Sequence, residues 1–336
     1  MNKKSKFIAS LIAIMGILLS VSCNSCQSAK TANSSTYSNE YKMVSPMFNA
    51  DSAYSYIEKQ LSFGPRVPGT QQHVECGNWL ASKLKAFGTE VIEQKANVIH
   101  IEGQEIEIRN IIASHQPQKE KRVMLFAHWD SRPYADEESD REQQNKPIMG
   151  ADDGASGVGV LLEIARQLQN NNTEIGIDIM LFDLEDWGQP NFETNYIPGD
   201  WWCVGSRYWS EQQHIENYKA EYGILLDMVG AANATFMHEG YSMQYASQLV
   251  SKIWSTAANL GYSQYFVQKN GGYITDDHVP IIENMNIPCV DIINLKNSST
   301  GFASHWHTHN DDIRNISKET LRAAGQTVME VIYKEK

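Results

Sequence analysis

At 336 residues the chain has the length of one large α/β domain or two small ones. Its 28 Lys and Arg stand against 40 Asp and Glu, a formal charge of −12 with an isoelectric point near 5.3, which excludes the basic face that nucleic acid or an anionic lipid surface demands. Hydrophobic residues make up 42% and aromatics 10%, excluding a disordered chain, and five cysteines are too few for a disulfide scaffold.

Lys3, Lys4 and Lys6 precede an apolar run from Phe7 to Val21 that is short for a membrane span. A basic start, a compact apolar stretch and small residues before Cys23 read as a bacterial export signal over residues 1–22. Ser20-Val21-Ser22-Cys23 resembles a lipoprotein cleavage box, with Ser20 where Leu is usual, and would leave Cys23 as the lipidated first residue. The protein is then expected outside the cytoplasm of a Gram-negative cell, either periplasmic or held to a membrane by that lipid alone. Cleavage removes three lysines and no acid, deepening the charge from −12 to −15. Residues 23–45, rich in Ser, Asn, Thr and Lys, read as a flexible tether, and residues 46–336 as one domain. Cys76, Cys203 and Cys289 are an odd set, so at least one stays free or pairs outside the chain; buried small hydrophobes are the simplest reading.

Helical spacing over 51–62 opens the domain, followed by 72–86, where Trp79, Leu80, Leu84 and Phe87 share a face and Gly88 can cap. Alternation through Glu105–Ala113 (Ile106, Ile108, Ile112) predicts a half-buried strand, whereas Val123–Ala127 is a continuous apolar run suited to a central strand covered on both faces. Similar runs recur at Ile177–Phe182, Gly223–Leu226 and Cys289–Ile293, with helical segments at 155–170, 242–260 and 317–333. Strands alternating with helices imply a single α/β domain, its central mixed, largely parallel, twisted sheet flanked by helices on both faces. In such sheets functional groups gather where strands end.

Polar stations follow these runs: His128-Trp129-Asp130, then Gly150-Ala151-Asp152-Asp153-Gly154-Ala155-Ser156-Gly157 before a helix, then Asp183-Leu184-Glu185-Asp186, Asp227, and finally Ser304 to Asp312. Converging carboxylates repel unless a cation or shared protons compensate them. His with Asp and Glu, and no cysteine cluster, suits zinc held by nitrogen and oxygen with one position open; a hydrogen-bonded acidic cleft is the alternative. Some of these residues have plainer readings. His305 and His309 fit loop histidines, Asp152 a helix cap, and the run Asp136, Glu137, Glu138, Asp140, Glu142 a solvated loop.

The order His-x-Asp, Gly-Ala-x-Asp-x-x-Ser-Gly, Glu-Asp, Asp and a late His resembles the zinc aminopeptidase-like fold of peptidase family M28. Within it, Phe63-Gly64-Pro65-Arg66-Val67-Pro68-Gly69-Thr70, Leu225–Ala231, Asp276-Asp277-His278-Val279-Pro280 and Trp306-His307-Thr308 resemble the secretory-type glutaminyl cyclases over residues 45–335. The resemblance implies one zinc ion on Asp153, Asp186 and His307, with Glu185 as acid/base, Asp227 as a second catalytic carboxylate linked to Asp276 or Asp277, and Trp306 as pocket wall. His128 and Asp130 would serve a second metal or support the first. Animal members carry Glu-Glu where this chain has Glu185-Asp186; the bacterial ones are closer here. The segment Gln189–Trp202 cannot be aligned, leaving its aromatic residues unassigned.

The implied reaction closes an N-terminal glutamine of a peptide or protein onto its own side-chain amide, giving pyroglutamate and ammonia. A monomer is expected. The rival is a dinuclear zinc aminopeptidase, in which Asp153 bridges two ions, His128 and Asp227 complete the second site, and Glu185 activates water. A peptide-binding surface lipoprotein on a degenerate scaffold is the third reading, opposed by the intact Glu185 and ligand residues.

Overall fold

The computed structural model describes residues 41–336; the export signal, Cys23 and most of the expected tether lie outside the described residues. Residues 41–45, expected as the end of the tether, are docked instead. The buried Glu330 carboxylate accepts from the Val44 and Ser45 backbone N–H groups at 3.0 and 2.9 Å and from the Ser45 hydroxyl at 2.8 Å.

Eight strands and seven α-helices follow in the described residues. Helices α1 (Ala50–Leu61) and α2 (Gln71–Ala86) start at Asn49 and Thr70, whose side chains accept from the backbone of Ser52 and His73. Strands β1 (Glu90–Ile99), β2 (Glu105–His115) and β3 (Arg122–His128) precede α3 (Ala155–Leu168), β4 (Gly176–Phe182), α4 (Val204–Glu211) and β5 (Gly223–Asp227). A short parallel pair, β6 (Phe236–Glu239) and β7 (Phe266–Gly272), brackets α5 (Gly240–Asn259). Then come α6 (His278–Met285), β8 (Cys289–Ile293) and α7 (Lys318–Tyr333).

The main sheet runs β1-β2-β4-β3-β5-β8, with β4, β3, β5 and β8 mutually parallel and β1 and β2 antiparallel at one edge. The pleat of the central strands sorts their side chains into two cores. Val123, Leu125 and Ala127 of β3 join Ile57 of α1, Val158 and Leu162 of α3 and Val328 of α7. Met124 and Phe126 face the other way, onto Trp209 of α4 and Ile281 and Ile282 of α6. The continuous apolar runs thus mark strands covered on both faces, as expected. Strand β2 departs from its half-buried expectation: it alternates only to Glu107 and is buried from Ile108 onward, because β4 pairs with its second half and α2 and α4 pack on it. All three body cysteines are free and buried. Among the described residues no helix is long and apolar enough to cross a membrane.

Parallel strands put the C-terminal ends of β4, β3 and β5 side by side, and the first turn of α3 leans onto them. A Cβ at Gly157 would meet the Leu226 carbonyl oxygen at 2.1 Å and the Ala127 Cβ at 2.9 Å. Gly157→Ala should therefore push α3 off β5 and lower unfolding stability by about 3 kcal/mol or more, read from denaturant midpoints. A wild-type midpoint would contradict this close packing.

Candidate metal and active site

The sequence-marked residues sit at strand ends or on the loops that follow them. His128 closes β3 and Asp227 closes β5; both are buried. After β4 the chain turns sharply, with Leu184 at φ 53°, a left-handed conformation costly for a branched side chain. That turn directs Glu185 and Asp186 inward, and the Asp130 carboxylate fixes it by accepting both their backbone N–H groups at 3.2 Å. Before α3 the chain turns at Gly154, φ 93°, where a Cβ would strike the Asp130 carbonyl oxygen at 2.8 Å and the His128 ring at 2.9 Å. The Asp311 carboxylate steadies this loop by accepting from the Asp152 and Asp153 N–H groups at 2.8 and 3.1 Å.

Asp153, Asp186 and His307 offer ligand atoms within 4.8 Å of one another, all buried. His307 Nε2 lies 3.3 Å from Asp186 Oδ1 and 3.7 Å from Asp153 Oδ2. His307 is itself left-handed, at φ 53°. Trp306 stacks on its ring at a centroid distance of 3.6 Å. Asp186 Oδ2 is buried with no hydrogen-bond partner. Two carboxylates, one of them with an orphaned buried oxygen, and an imidazole fit a divalent cation of the zinc type with N/O ligands.

A second triad, His128, Asp153 and Asp227, shares Asp153 with the first. In it His128 Nε2 lies 3.0 Å from Asp153 Oδ1 and 3.3 Å from Asp227 Oδ1, while its Nδ1 faces Asp130 at 3.4 Å. Burial works against a charged His128, yet the carboxylates of Asp130, Asp153 and Asp227 win and hold its pKa well above the usual value. Asp130 therefore supports the loop and the imidazole and belongs to neither triad.

The active cavity, about 60 Å³, is lined by Asp153, Asp186, His307, Glu185, Asp227 and Asp276 on its polar side, with Trp202, Ile274, Ile293, Phe302 and Trp306 among its apolar walls. A larger cavity of about 570 Å³ lies elsewhere, around the break in α5 at Ala246, and holds none of these residues. Burial pushes the Glu185 carboxyl well above the ordinary range, and nearby Asp276, Asp186 and Asp277 add to this against the charge of His128. Burial likewise raises Asp227 to about 6 and Asp277 to about 7. Of the two adjacent aspartates, Asp276 reaches the cavity; Asp277 starts α6 behind it with both carboxylate oxygens unpartnered.

Several plainer expectations are overturned. Asp136 is not in a solvated loop: it is buried, takes Arg132 in a two-point ion pair at 2.8 and 2.7 Å, and faces His307 Nδ1 at 3.2 Å. Glu138 is half-buried and accepts from the His309 backbone at 3.0 Å, while Asp140 and Glu142 are exposed as expected. Asp152 is no helix cap; it accepts from Gly230 and Ala231 N–H at 2.8 and 2.9 Å and meets His305 Nε2 at 3.0 Å, tying three loops together. Within Gln189–Trp202, Trp202 joins the cavity wall, whereas Phe192 and Tyr196 are exposed.

Sequence reasoning missed Arg132, whose single positive charge among acids was the available signal, and Asp291, a lone acid inside an apolar strand with both oxygens buried and unpartnered. It also missed Glu239, which caps α5 through Tyr241 and Ser242 N–H, accepts from Ile274 N–H and pairs with His278 at 3.1 Å, so it anchors the loop carrying Asp276. Burial pushes the Glu239 pKa up, but hydrogen bonds from His278 and Ser242 more than offset it and leave it at about 2. A depressed carboxylate stabilises the fold above its unfolded pKa, and that contribution is lost as pH falls toward the folded value. The urea midpoint of the native protein should thus fall more steeply than that of Glu239→Gln between the unfolded value near 4.5 and about 2. Parallel curves would remove Glu239 from this role.

The fold is of the zinc-exopeptidase-like α/β class. The model of peptidase family M28 matches residues 110–332, and the chain belongs to that family. Its fold matches the Zn-dependent exopeptidase from Parabacteroides distasonis (55% identity, TM-score 0.86, covering 87% of this chain and all of that one). The glutaminyl cyclase of Tannerella forsythia is equally similar, with 52% identity, a TM-score of 0.85 and the same coverage. Among characterised sequences, the glutaminyl-peptide cyclotransferase of Drosophila melanogaster is 26% identical over 287 residues, 76% of this chain and 73% of that protein.

Proposed function

We propose that the chain is a glutaminyl-peptide cyclotransferase that converts the N-terminal glutamine of peptides and proteins to pyroglutamate with release of ammonia. Asp153, Asp186 and His307 would hold one zinc ion. Bound there, zinc supplies a Lewis acid toward the side-chain amide carbonyl.

The observation that carries this reading is the match of the whole described domain to the glutaminyl cyclase of Tannerella forsythia at 52% identity. In this reading His128 and Asp227 serve without a second ion, and Asp227 lines the cavity as a carboxyl that burial raises to about 6. A dinuclear aminopeptidase needs the same two residues as ligands. Cyclisation needs no attacking water, and the cavity is correspondingly small and apolar-walled.

In the reaction the glutamine α-nitrogen bonds to its own side-chain amide carbon, and the bond from that carbon to the amide nitrogen breaks. Glu185 accepts the α-amine proton and returns it to the departing nitrogen, which leaves as ammonia. Its raised pKa suits a group that must both take and give a proton. Asp227 and Asp276, which line the same cavity, hydrogen-bond the amide nitrogen and hold it toward Glu185. Trp306 and Phe302, their ring centroids 4.4 Å apart and their planes tilted by 33°, narrow the space so that the two ends of the glutamine meet.

Incubation of the zinc-loaded protein with a Gln-initiated peptide should release one ammonia per peptide and leave the peptide bonds intact, with one zinc per chain by elemental analysis. Two zinc ions together with free N-terminal amino acids would replace this reading with the aminopeptidase. Export and a lipid on Cys23 complete the proposal, and mass spectrometry of Cys23 from the membrane fraction tests them. Lighter than the unprocessed chain but free of lipid, the protein would be a soluble exported one.

A further inference from the structure

Beside the two triads lies a third group of donors that neither the proposed reaction nor the family metal uses as ligands. Cys203 Sγ, a Glu185 oxygen and an Asp276 oxygen all lie within 4.8 Å of one another, and all three residues are buried. Cys203 starts α4 in a left-handed conformation, φ 56°, with its backbone N–H donated to the Glu185 carbonyl at 3.0 Å and its thiol donated to Glu185 Oε1 at 3.2 Å. Asp276, 3% exposed, keeps Oδ2 without any hydrogen-bond partner. Behind it Asp277 leaves both oxygens unpartnered as well. Unsatisfied buried acceptors of this kind are unusual unless a proton or cation compensates them.

We propose that Glu185, Cys203 and Asp276 form an inhibitory site for a thiophilic divalent cation, of the cadmium or excess-zinc class, separate from the Asp153–Asp186–His307 centre. Sulfur and oxygen ligands at about 2.3 and 2.1 Å from such an ion stand no more than about 4.4 Å apart, so donors within 4.8 Å of one another need only a modest contraction. The 3.2 Å separation of Cys203 Sγ and Glu185 Oε1 already falls in that range. Glu185 and Asp276 line the cavity, giving the ion its way in, and the thiol stands behind them. On binding, the S–H bond breaks, the sulfur electron pair forms the bond to the cation, and the proton leaves with solvent through the cavity. The donor mix of one soft sulfur and two carboxylates selects zinc or cadmium over magnesium or calcium, which prefer oxygen alone.

Occupancy takes the Glu185 oxygen out of proton transfer, so the inhibition, though not the binding, rests on the acid/base role given to Glu185 above. The test uses zinc-loaded holoenzyme titrated with cadmium. Expected is one additional cadmium per chain by equilibrium dialysis, with zinc retained, a thiolate-to-cadmium charge-transfer band in the ultraviolet, and loss of turnover in parallel. In Cys203→Ala the band should vanish and the inhibitory concentration rise at least tenfold; in Cys203→Ser the band should vanish while weaker binding persists. Release of zinc in step with cadmium uptake, or a charge-transfer band surviving in Cys203→Ala, would overturn the site. A band and an extra cadmium without inhibition would keep the site and refute instead the role of Glu185. Magnesium at the same concentration should produce none of these changes, and inhibition by it equal to that by cadmium would also overturn the assignment.

Discussion

Glu185→Gln should lower kcat by about 10²- to 10⁴-fold while the protein keeps its zinc and its fold, the range set by removing a positioned acid/base. Gln keeps the shape and accepts from Cys203 as before, but its amide neither takes the α-amine proton nor returns it. Zinc is retained because Glu185 belongs to neither the Asp153–Asp186–His307 triad nor its hydrogen bonds. The thermal midpoint should not fall. Burial raises the Glu185 pKa, and an acid raised on folding lowers stability as pH climbs from its unfolded value toward the folded one. Replacing it with a neutral amide removes that loss. Ammonia release at the native rate would take the acid/base role from Glu185, and loss of zinc would make it a ligand.

His307→Ala should strip the metal and with it the activity. Three protein ligands share a binding free energy of roughly 10–16 kcal/mol, so removing one weakens zinc by about 10²-fold at the least. The structure adds a graded comparison. Asp136 touches His307 only through Nδ1, and Arg132 holds Asp136 in place, so Asp136→Asn should cost about 10- to 100-fold in zinc affinity and leave the site assembled. Competition with a chelator of known affinity measures both variants. Equal loss in the two would mean that the Asp136 contact, not ligation, governs the imidazole; undiminished zinc in His307→Ala would remove His307 from the ligand set. The same variant also loses the stacking surface under Trp306, so residual turnover in excess zinc should show a raised KM.

The fold was legible because burial on both faces leaves a simple trace. Strands enclosed by helices on both faces have few polar positions, and β3, β4, β5 and β8 each read as an apolar run, interrupted inside only by Asp178 of β4 and Asp291 of β8. The edge strand β1 and the short pair β6 and β7 escaped notice, since half-exposed and four-residue strands carry little period-two signal. Helices α4 and α6, eight residues each, are too short for a 3.6-residue repeat to stand out.

The site divides in the same way. Acids and histidines placed directly after buried strands were visible as a series, and parallel pairing brings such ends together whatever the intervening loops do. Asp136 was hidden because it shares a run of acids with exposed neighbours, and only the buried Arg132 guanidinium distinguishes it. Asp152 looked like a cap because it precedes α3, but the left-handed turn at Gly154 carries it away to Gly230 and His305. Cys203 looked like a small core hydrophobe; its thiol reaches Glu185 only because the loop from residue 187 to 202 folds back on β4.

From its sequence alone, then, the protein has a determined class of fold, a set of residue types able to hold zinc, and a strand-end address for them. These depend on local composition and on periodicity, which the chain carries in one dimension. The tertiary structure alone brings Asp136 against His307, ties Asp152 to His305 and sets His128 between Asp153 and Asp227. It also decides that Asp276 instead of Asp277 meets the cavity. Several of these arrangements rest on contacts between residues more than a hundred positions apart, as in the 3.0 Å contact between Asp152 and His305. Long-range contacts of this kind are set by how the strands pair and the loops turn, and no spacing along the chain encodes them.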